Sequence, residues 1–341
     1  MRAAVLSSTK HLEIDPRYPE PPLGPADVKL KVNFTGICGS DLHCFVMGKQ
    51  MTRVPSVMGH EFCAEVMELG SEAQGFKIGD RAAGLIYPSC GTCEYCLDGD
   101  YTLCENLGRK MFERNGSFAE YISVPARQLV KIVPDTPTEE AALIEPLSVA
   151  VHAVRRAALT IGEVVVVMGG GPLGLLITQL VKLSGAAKVI LVEPAPSRQQ
   201  LGFKFGADAA IHPDEHLREQ VSDLAGRRRV DAVFEVSGNP RAFDAASRLV
   251  GKLGRLVLVA VYEEKRVEFN PNRFLNSEID LIACFWSRQI DFRRAADLIA
   301  SRQIDVRPLI TGTIALEQMQ QTFEMLVADR SSHSKVLVAC S

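Results

Sequence analysis

At 341 residues the chain has room for about two domains of ~100–200 residues each. With 47% hydrophobic and 23% charged residues, its composition is that of an ordinary globular protein. A net charge of −3 gives no electrostatic reason to expect nucleic acid, and no window approaches the ~18 apolar residues of a membrane span. The opening Met1–Pro16 has no continuous apolar stretch of the kind a secretory leader carries, which predicts a cytoplasmic protein. Nine cysteines, four of them packed into fifteen positions, fit metal binding better than a disulfide framework. The basic run Arg227–Arg229 lies among polar residues and reads as a solvated helix end.

The first ~150 residues are rich in short β-type runs: Val28–Phe34, Phe62–Glu68, Arg81–Ile86 and Ala119–Val124. Turn residues such as Gly79-Asp80 bound them and helical periodicity is weak, which predicts an irregular, mostly antiparallel β domain. From about Gly162 the pattern changes. The aliphatic runs Val164–Met168, Lys188–Val192, Ala232–Val236 and Arg255–Val259 are those of a buried parallel sheet. Helical stretches such as Leu173–Ser184 and Pro240–Leu249 lie between them, and the whole predicts a doubly wound α/β domain. Ile279–Phe285 then leads into helical segments at Phe292–Ser301 and Leu316–Asp329 and a last strand, Lys335–Val338. These could cap the α/β domain or return to the first one.

Gly169-x-Gly171-x-x-Gly174 follows a predicted strand directly and opens a predicted helix. Gly169 permits the tight turn, Gly171 lets the backbone approach a pyrophosphate, and Gly174 lets helix and strand pack closely. With Pro172 and Leu173 they form a helix start whose unpaired N–H groups and positive dipole end face the phosphates. Glu193, 19 residues after Gly174, stands at the end of the second strand, where a carboxylate can accept hydrogen bonds from a ribose diol. An acid there repels a 2′-phosphate, so NAD is expected over NADP. Arg198 tempers that preference, because a nearby arginine can accommodate the phosphate. Its bland reading is an exposed helix residue.

Cys90, Cys93, Cys96 and Cys104 form C-x2-C-x2-C-x7-C in a Gly- and Asp-containing loop. Four thiolates can close a tetrahedral zinc with no position left for water, which makes a structural site. The ferredoxin run has three residues before its fourth cysteine and a proline after it; here the gap is seven and Glu105 follows, so zinc is preferred to an iron–sulfur cluster. A second set is dispersed: Cys38, then Gly59-His60-Glu61, then Glu145-Pro146. One thiolate, one imidazole and one carboxylate would leave a fourth zinc position open, as catalysis requires. Taken singly, Cys38 reads as a small buried hydrophobe and His60 as a structural histidine. Spacing alone does not join them. Cys44, Cys63, Cys284 and Cys340 fit no metal pattern and read as packing residues.

The string Cys38-Gly-Ser-Asp-Leu-His43, the Gly59-His60-Glu61 triplet, Gly79-Asp80-Arg81, the four-cysteine loop and the glycine turn resemble, in that order, the zinc-containing medium-chain dehydrogenases. Ala142–Val149 and Arg307-Pro-Leu-Ile-Thr311 are similar to the sorbitol (polyol) dehydrogenase branch, and the run Gly75–Arg81 to threonine dehydrogenase. The resemblance implies a GroES-like catalytic domain from residues 1–150 and 286–341 around a Rossmann domain at 151–285. It makes Cys38 and His60 catalytic zinc ligands, with Glu61 or Glu145 supplying a direct or water-mediated carboxylate. Neighbours in a regular strand point to opposite faces, so His60 and Glu61 share a metal only where the strand has ended or bends. Glu145, held extended by the following proline, is the other choice.

The implied reaction is a zinc-dependent oxidation of a secondary alcohol (a polyol, sugar or diol) to its ketone, with two Zn²⁺ per chain and NAD as acceptor. The Lewis-acidic ion lowers the pKa of the substrate hydroxyl, and hydride leaves from carbon to the nicotinamide. Ser40 and His43 could relay the proton, Ser40 being the better placed. In the sorbitol branch an arginine helps bind the polyol near the segment that reads Cys284–Arg288 here; Trp286 takes its place and Arg288 lies two residues on. That departure leaves other polyols, sugars, diols and amino alcohols open. A threonine-type amino-alcohol dehydrogenase shares all the metal chemistry, and only a substrate panel separates it. A non-enzymatic dinucleotide- and zinc-binding module predicts one zinc per chain and no hydride transfer. The family analogy implies a homotetramer or homodimer.

Overall fold

The structure, a computed structural model, describes residues 1–107, 115–226, 229–262, 266–329, 331 and 333–340. In chain order the first strands are β1 (Ala3–Ser8), β2 (His11–Asp15), β3 (Asp27–Gly36), β4 (Ser56–Val57), β5 (Glu61–Leu69), β6 (Arg81–Gly84), β7 (Tyr121–Pro125) and β8 (Leu129–Lys131). The chain then runs through β9 (Val164–Met168), β10 (Lys188–Val192), β11 (Ala209–Ile211), β12 (Ala232–Glu235), β13 (Arg255–Leu258) and β14 (Asp280–Ala283), and finishes with β15 (Ile310–Ala315) and β16 (Lys335–Ala339). Two units result: Met1–Ser148 with Arg288–Ser341, and Val149–Ser287.

In the first unit β3 sets the pattern. Val28, Leu30 and Val32 are buried while Lys29 and Lys31 alternate with them toward solvent, as a strand with one covered face requires. β3 sits inside a seven-stranded sheet of order β15-β16-β3-β5-β6-β8, with β7 also pairing β3. All its neighbouring pairs are antiparallel except β15 with β16. A smaller sheet, β2-β1-β4, completes the unit. The last strand therefore returns to the first unit: β16 lies beside β3 with Val338 opposite Thr35. Its apolar run Val336–Val338 is buried between β15 and β3.

The second unit is a six-stranded sheet of order β11-β10-β9-β12-β13-β14, parallel throughout. Every residue of β9 is buried, as expected of a central parallel strand covered on both faces. The order reverses between β9 and β12, the topological switch point at which doubly wound sheets bind ligands. Arg255 fastens the base of this sheet by donating to the carbonyls of Ala157 and Ala158 and to the Glu163 carboxylate.

Two helices correct the impression of weak helicity before residue 150: Gly39–Met47 and Ile144–Ala157. The first buries a charged residue, Asp41, alongside Leu42, Cys44 and Phe45, which blurs its apolar stripe. The second makes Glu145 helical, contrary to the extended geometry expected before a proline. Pro146 lies in the first turn, where a missing N–H costs no intrahelical hydrogen bond. Arg227 and Arg228 lie outside the described residues, and Arg229 pairs with Asp231 at 2.6 Å. No described helix is long and apolar enough to cross a membrane.

Candidate metal centres and dinucleotide crevice

β3 ends at Gly36, and two residues later Cys38 caps the helix Gly39–Met47. The carboxylate of Asp41, three residues in, accepts the Cys38 N–H at 3.0 Å. Its other oxygen accepts the Gly59 N–H at 3.2 Å and stands 3.5 Å from His60 Nδ1. One buried carboxylate thus binds the backbone at Cys38, the backbone before His60 and the imidazole itself. Gly59 has φ +92, a conformation that favours glycine. That corner places His60 just outside β5, whose first residue is Glu61, so the two neighbours escape strict strand alternation.

The corner gathers ligand atoms of Cys38, His60 and Glu61 within 4.8 Å of one another. Glu145 falls outside that cluster, although it is buried and electrostatically coupled to His60 and Glu61. Burial pushes its carboxyl up to about 7; His60 opposes the shift and Glu61 adds to it. Lys335 of β16 completes the surroundings. Its ammonium donates to both Glu61 oxygens at 2.7 Å and to the Ile37 carbonyl at 3.0 Å. Three buried acids, Asp41, Glu61 and Glu145, thus share these surroundings with two buried bases, His60 and Lys335. A divalent cation would offset that excess in a low-dielectric setting, and a carboxylate has lone pairs enough to meet an ammonium and a metal together. The donor set fits zinc. Sequence reasoning missed Asp41 and Lys335. The capping position of Asp41 was a readable signal; the pairing of Lys335 with a residue 274 positions away was not. Ser40 and His43 lie three apart on the Cys38-capped helix, one exposed and the other half-buried. Tyr87 stacks beside His60, ring centroids 5.8 Å apart.

Cys90, Cys93, Cys96 and Cys104 converge in the same way, all four sulfurs within 4.8 Å. Cys90 Sγ and Cys96 Sγ are 3.9 Å apart. A tetrahedron with Zn–S bonds of about 2.3 Å separates its sulfurs by ~3.8 Å. The Cys90 sulfur accepts from the N–H groups of Thr92 and Cys93, and these bonds hold its pKa down at about 5, so it stands ready as a thiolate. Arg288, from the sequence-predicted polyol segment, pairs with Asp100 of this loop at 2.9 Å. Trp286 is half-buried and packs against Phe285 at 5.0 Å.

In the second unit the glycine turn follows β9. Gly169 has φ +110, Gly171 caps the helix Pro172–Leu183, and Pro172 takes its first position. A Cβ on Gly174 would stand 1.9 Å from the Gly169 carbonyl oxygen, so the helix can lie this close only with glycine; nothing lies within 4 Å of the equivalent point on Gly171. Glu193 is buried just beyond β10, where it accepts the Gly170 N–H at 2.6 Å and the Ala195 N–H at 2.9 Å. The residue expected to meet a ribose thus also braces the turn. Arg198 lies in the helix Pro196–Lys204 and is half-buried rather than exposed.

These features coincide with two known domains: the alcohol dehydrogenase GroES-like domain matches residues 24–135 and the zinc-binding dehydrogenase domain residues 172–301. The sorbitol dehydrogenase of Bacillus subtilis is 33% identical over 344 aligned positions, 99% of this chain and 97% of that protein. The chain belongs to the zinc-containing medium-chain dehydrogenases. Within this dehydrogenase family the L-threonine 3-dehydrogenase of Pyrococcus horikoshii is also 33% identical, over 94% of this chain and 92% of that one. A Sinorhizobium meliloti protein solved bound to NADP superposes with a TM-score of 0.88 at 32% identity, covering 99% of this chain and 98% of that one.

Two outcomes are expected from this geometry. Asp41→Asn removes the carboxylate that orients His60 and should weaken zinc at the Cys38–His60 site about 10–100-fold, read by competition with a metallochromic chelator; unchanged affinity would contradict the bracing role. Burial pushes the Cys44 and Cys63 thiols up to about 12, so both stay protonated at pH 8. Neither should react with Ellman's reagent until the chain is denatured, and rapid labelling of either in the folded protein would contradict their burial.

Proposed function

We propose that this dehydrogenase oxidises a secondary alcohol, a polyol, sugar or diol, to its ketone and passes the hydride to NAD. The gathering of Cys38, His60 and Glu61 at the Gly59 corner is the observation that carries the reading. Cys38 and His60 would hold the catalytic zinc, with Glu61 the carboxylate gathered with them and Glu145 within electrostatic reach. Cys90, Cys93, Cys96 and Cys104 would hold a second, structural zinc. When bound, the catalytic ion supplies Lewis acidity toward the substrate hydroxyl, and the nicotinamide supplies the hydride acceptor.

The chain's own residues have distinct tasks. Asp41 holds the His60 ring and the Cys38 backbone, and Lys335 fixes and partly offsets Glu61. Ser40, exposed at the start of the helix, receives the substrate proton and hands it toward solvent, with His43 one turn on. Gly169, Gly171, Pro172, Leu173 and Gly174 receive the pyrophosphate. Glu193, a buried acid just beyond β10, favours an unphosphorylated ribose and thus NAD over NADP, with Arg198 the residue able to narrow that margin. The similarity to sorbitol dehydrogenase over nearly the whole chain supports the polyol class, and the equal identity to L-threonine 3-dehydrogenase leaves the choice between them to a substrate panel. Arg288 pairs with Asp100, so the reading assigns no substrate-binding role to an arginine of this segment. The reading includes a cytoplasmic homodimer or homotetramer.

NADH formation over a panel of polyols, sugars, diols and threonine tests the proposal. A secondary polyol or diol should be the best substrate, and Cys38→Ala or His60→Ala should lower kcat/KM about a thousandfold or more with the fold retained. Full activity in either variant would refute the assignment, and preference for threonine would favour the amino-alcohol alternative.

A further inference from the structure

β12 ends in a carboxylate that has no part in the proposed hydride transfer. Glu235 has no exposed surface, yet it accepts four hydrogen bonds. One oxygen takes the Ser237 N–H at 2.9 Å and the Ser237 hydroxyl at 2.5 Å; the other takes the Gly238 N–H at 3.2 Å and the Tyr262 hydroxyl. A buried carboxylate is tolerated only when such donors replace its water.

Its place in the sheet gives the cluster meaning. Glu235 pairs in register with Met168, the residue before the glycine turn, and on its other side with Leu258 of β13. The switch point lies between β9 and β12, so the glycine turn and the Glu235–Asn239 loop flank one crevice. A Cβ on Gly169 would meet the Ser237 backbone nitrogen and side chain at 3.3 Å, and one on Gly238 would meet the Val261 carbonyl at 2.6 Å. The loop is thus wedged between the phosphate turn, which Ser237 approaches, and the Tyr262 segment, to which the Glu235 carboxylate ties it.

We infer that Glu235 and Tyr262 are positioning residues for the dinucleotide, holding the second wall of its crevice against the glycine turn. The inference rests on the reading of that turn as a dinucleotide site. Glu235 sits on the far side of β9 from Glu193, across the switch point at which such sheets bind a dinucleotide. Displacement of the wall therefore changes cofactor binding without touching a metal ligand. Replacing the carboxylate by an amide puts an N–H donor opposite one or two existing donors, and removing the Tyr262 hydroxyl takes away a single tie.

The test is titration of zinc-loaded full-length protein with NADH and NADPH, followed by nucleotide fluorescence well below the melting temperature. Glu235→Gln should raise the Kd for the preferred nucleotide about tenfold, and Tyr262→Phe about threefold, with zinc content unchanged. A merely architectural cluster would lower the melting temperature and leave the Kd of the folded protein where it was; that result in both variants overturns the proposal. Should Glu235→Gln fail to fold, Tyr262→Phe alone decides. A wild-type chain that binds neither nucleotide would overturn the dinucleotide reading itself, and the positioning role with it.

Discussion

The proposed catalytic metal site depends on one carboxylate. Asp41 binds the backbone at Cys38, the backbone at Gly59 and the imidazole of His60, and so joins two segments that leave and enter the sheet at different places. Without that brace a thiol on a helix cap and a histidine at a strand start would have no reason to face a common point. Since an imidazole ligand needs its other nitrogen held by an acceptor, the same contact sets ring orientation. Glycine at 59 supplies the backbone corner and Lys335 the compensating charge, both arranged around this hub.

The two units illustrate different ways of making a site. In the second, local sequence does nearly everything: a strand, a glycine turn and a helix succeed one another, and the geometry is settled within about thirty residues. In the first, donors from positions 38, 60 and 61 meet a lysine from position 335, and only the closed sheet brings that lysine to them.

This difference explains which parts are legible in the sequence. β9 and β10 and the helix Pro240–Leu249 are legible because fully buried parallel strands and cleanly amphipathic helices leave unambiguous periodicities. The four-cysteine loop is legible because its donors are close in sequence. The helix Gly39–Met47 is hidden by its buried Asp41. Glu145 is helical because Pro146 costs no hydrogen bond in a first helical turn, and the steric bias against a helical residue before proline is a preference that the packing of this helix outweighs. Lys335 reads locally as the polar start of a strand, and its burial against Glu61 is purely a tertiary fact. Glu193 reads in the sequence as the acid proposed for a ribose, whereas its bracing of the glycine turn is not legible there, since that contact depends on β9 and β10 being neighbours.

Zinc K-edge X-ray absorption on the metal-replete protein measures the central claim most directly. A sulfur-only loop plus a site with one sulfur and lighter donors predicts two zinc ions sharing five sulfur ligands, an average of about 2.5 per ion, with imidazole scattering from His60 and Zn–N/O distances near 2.0–2.1 Å. A spectrum of zinc bound by four sulfurs alone, at one ion per chain, would contradict the account.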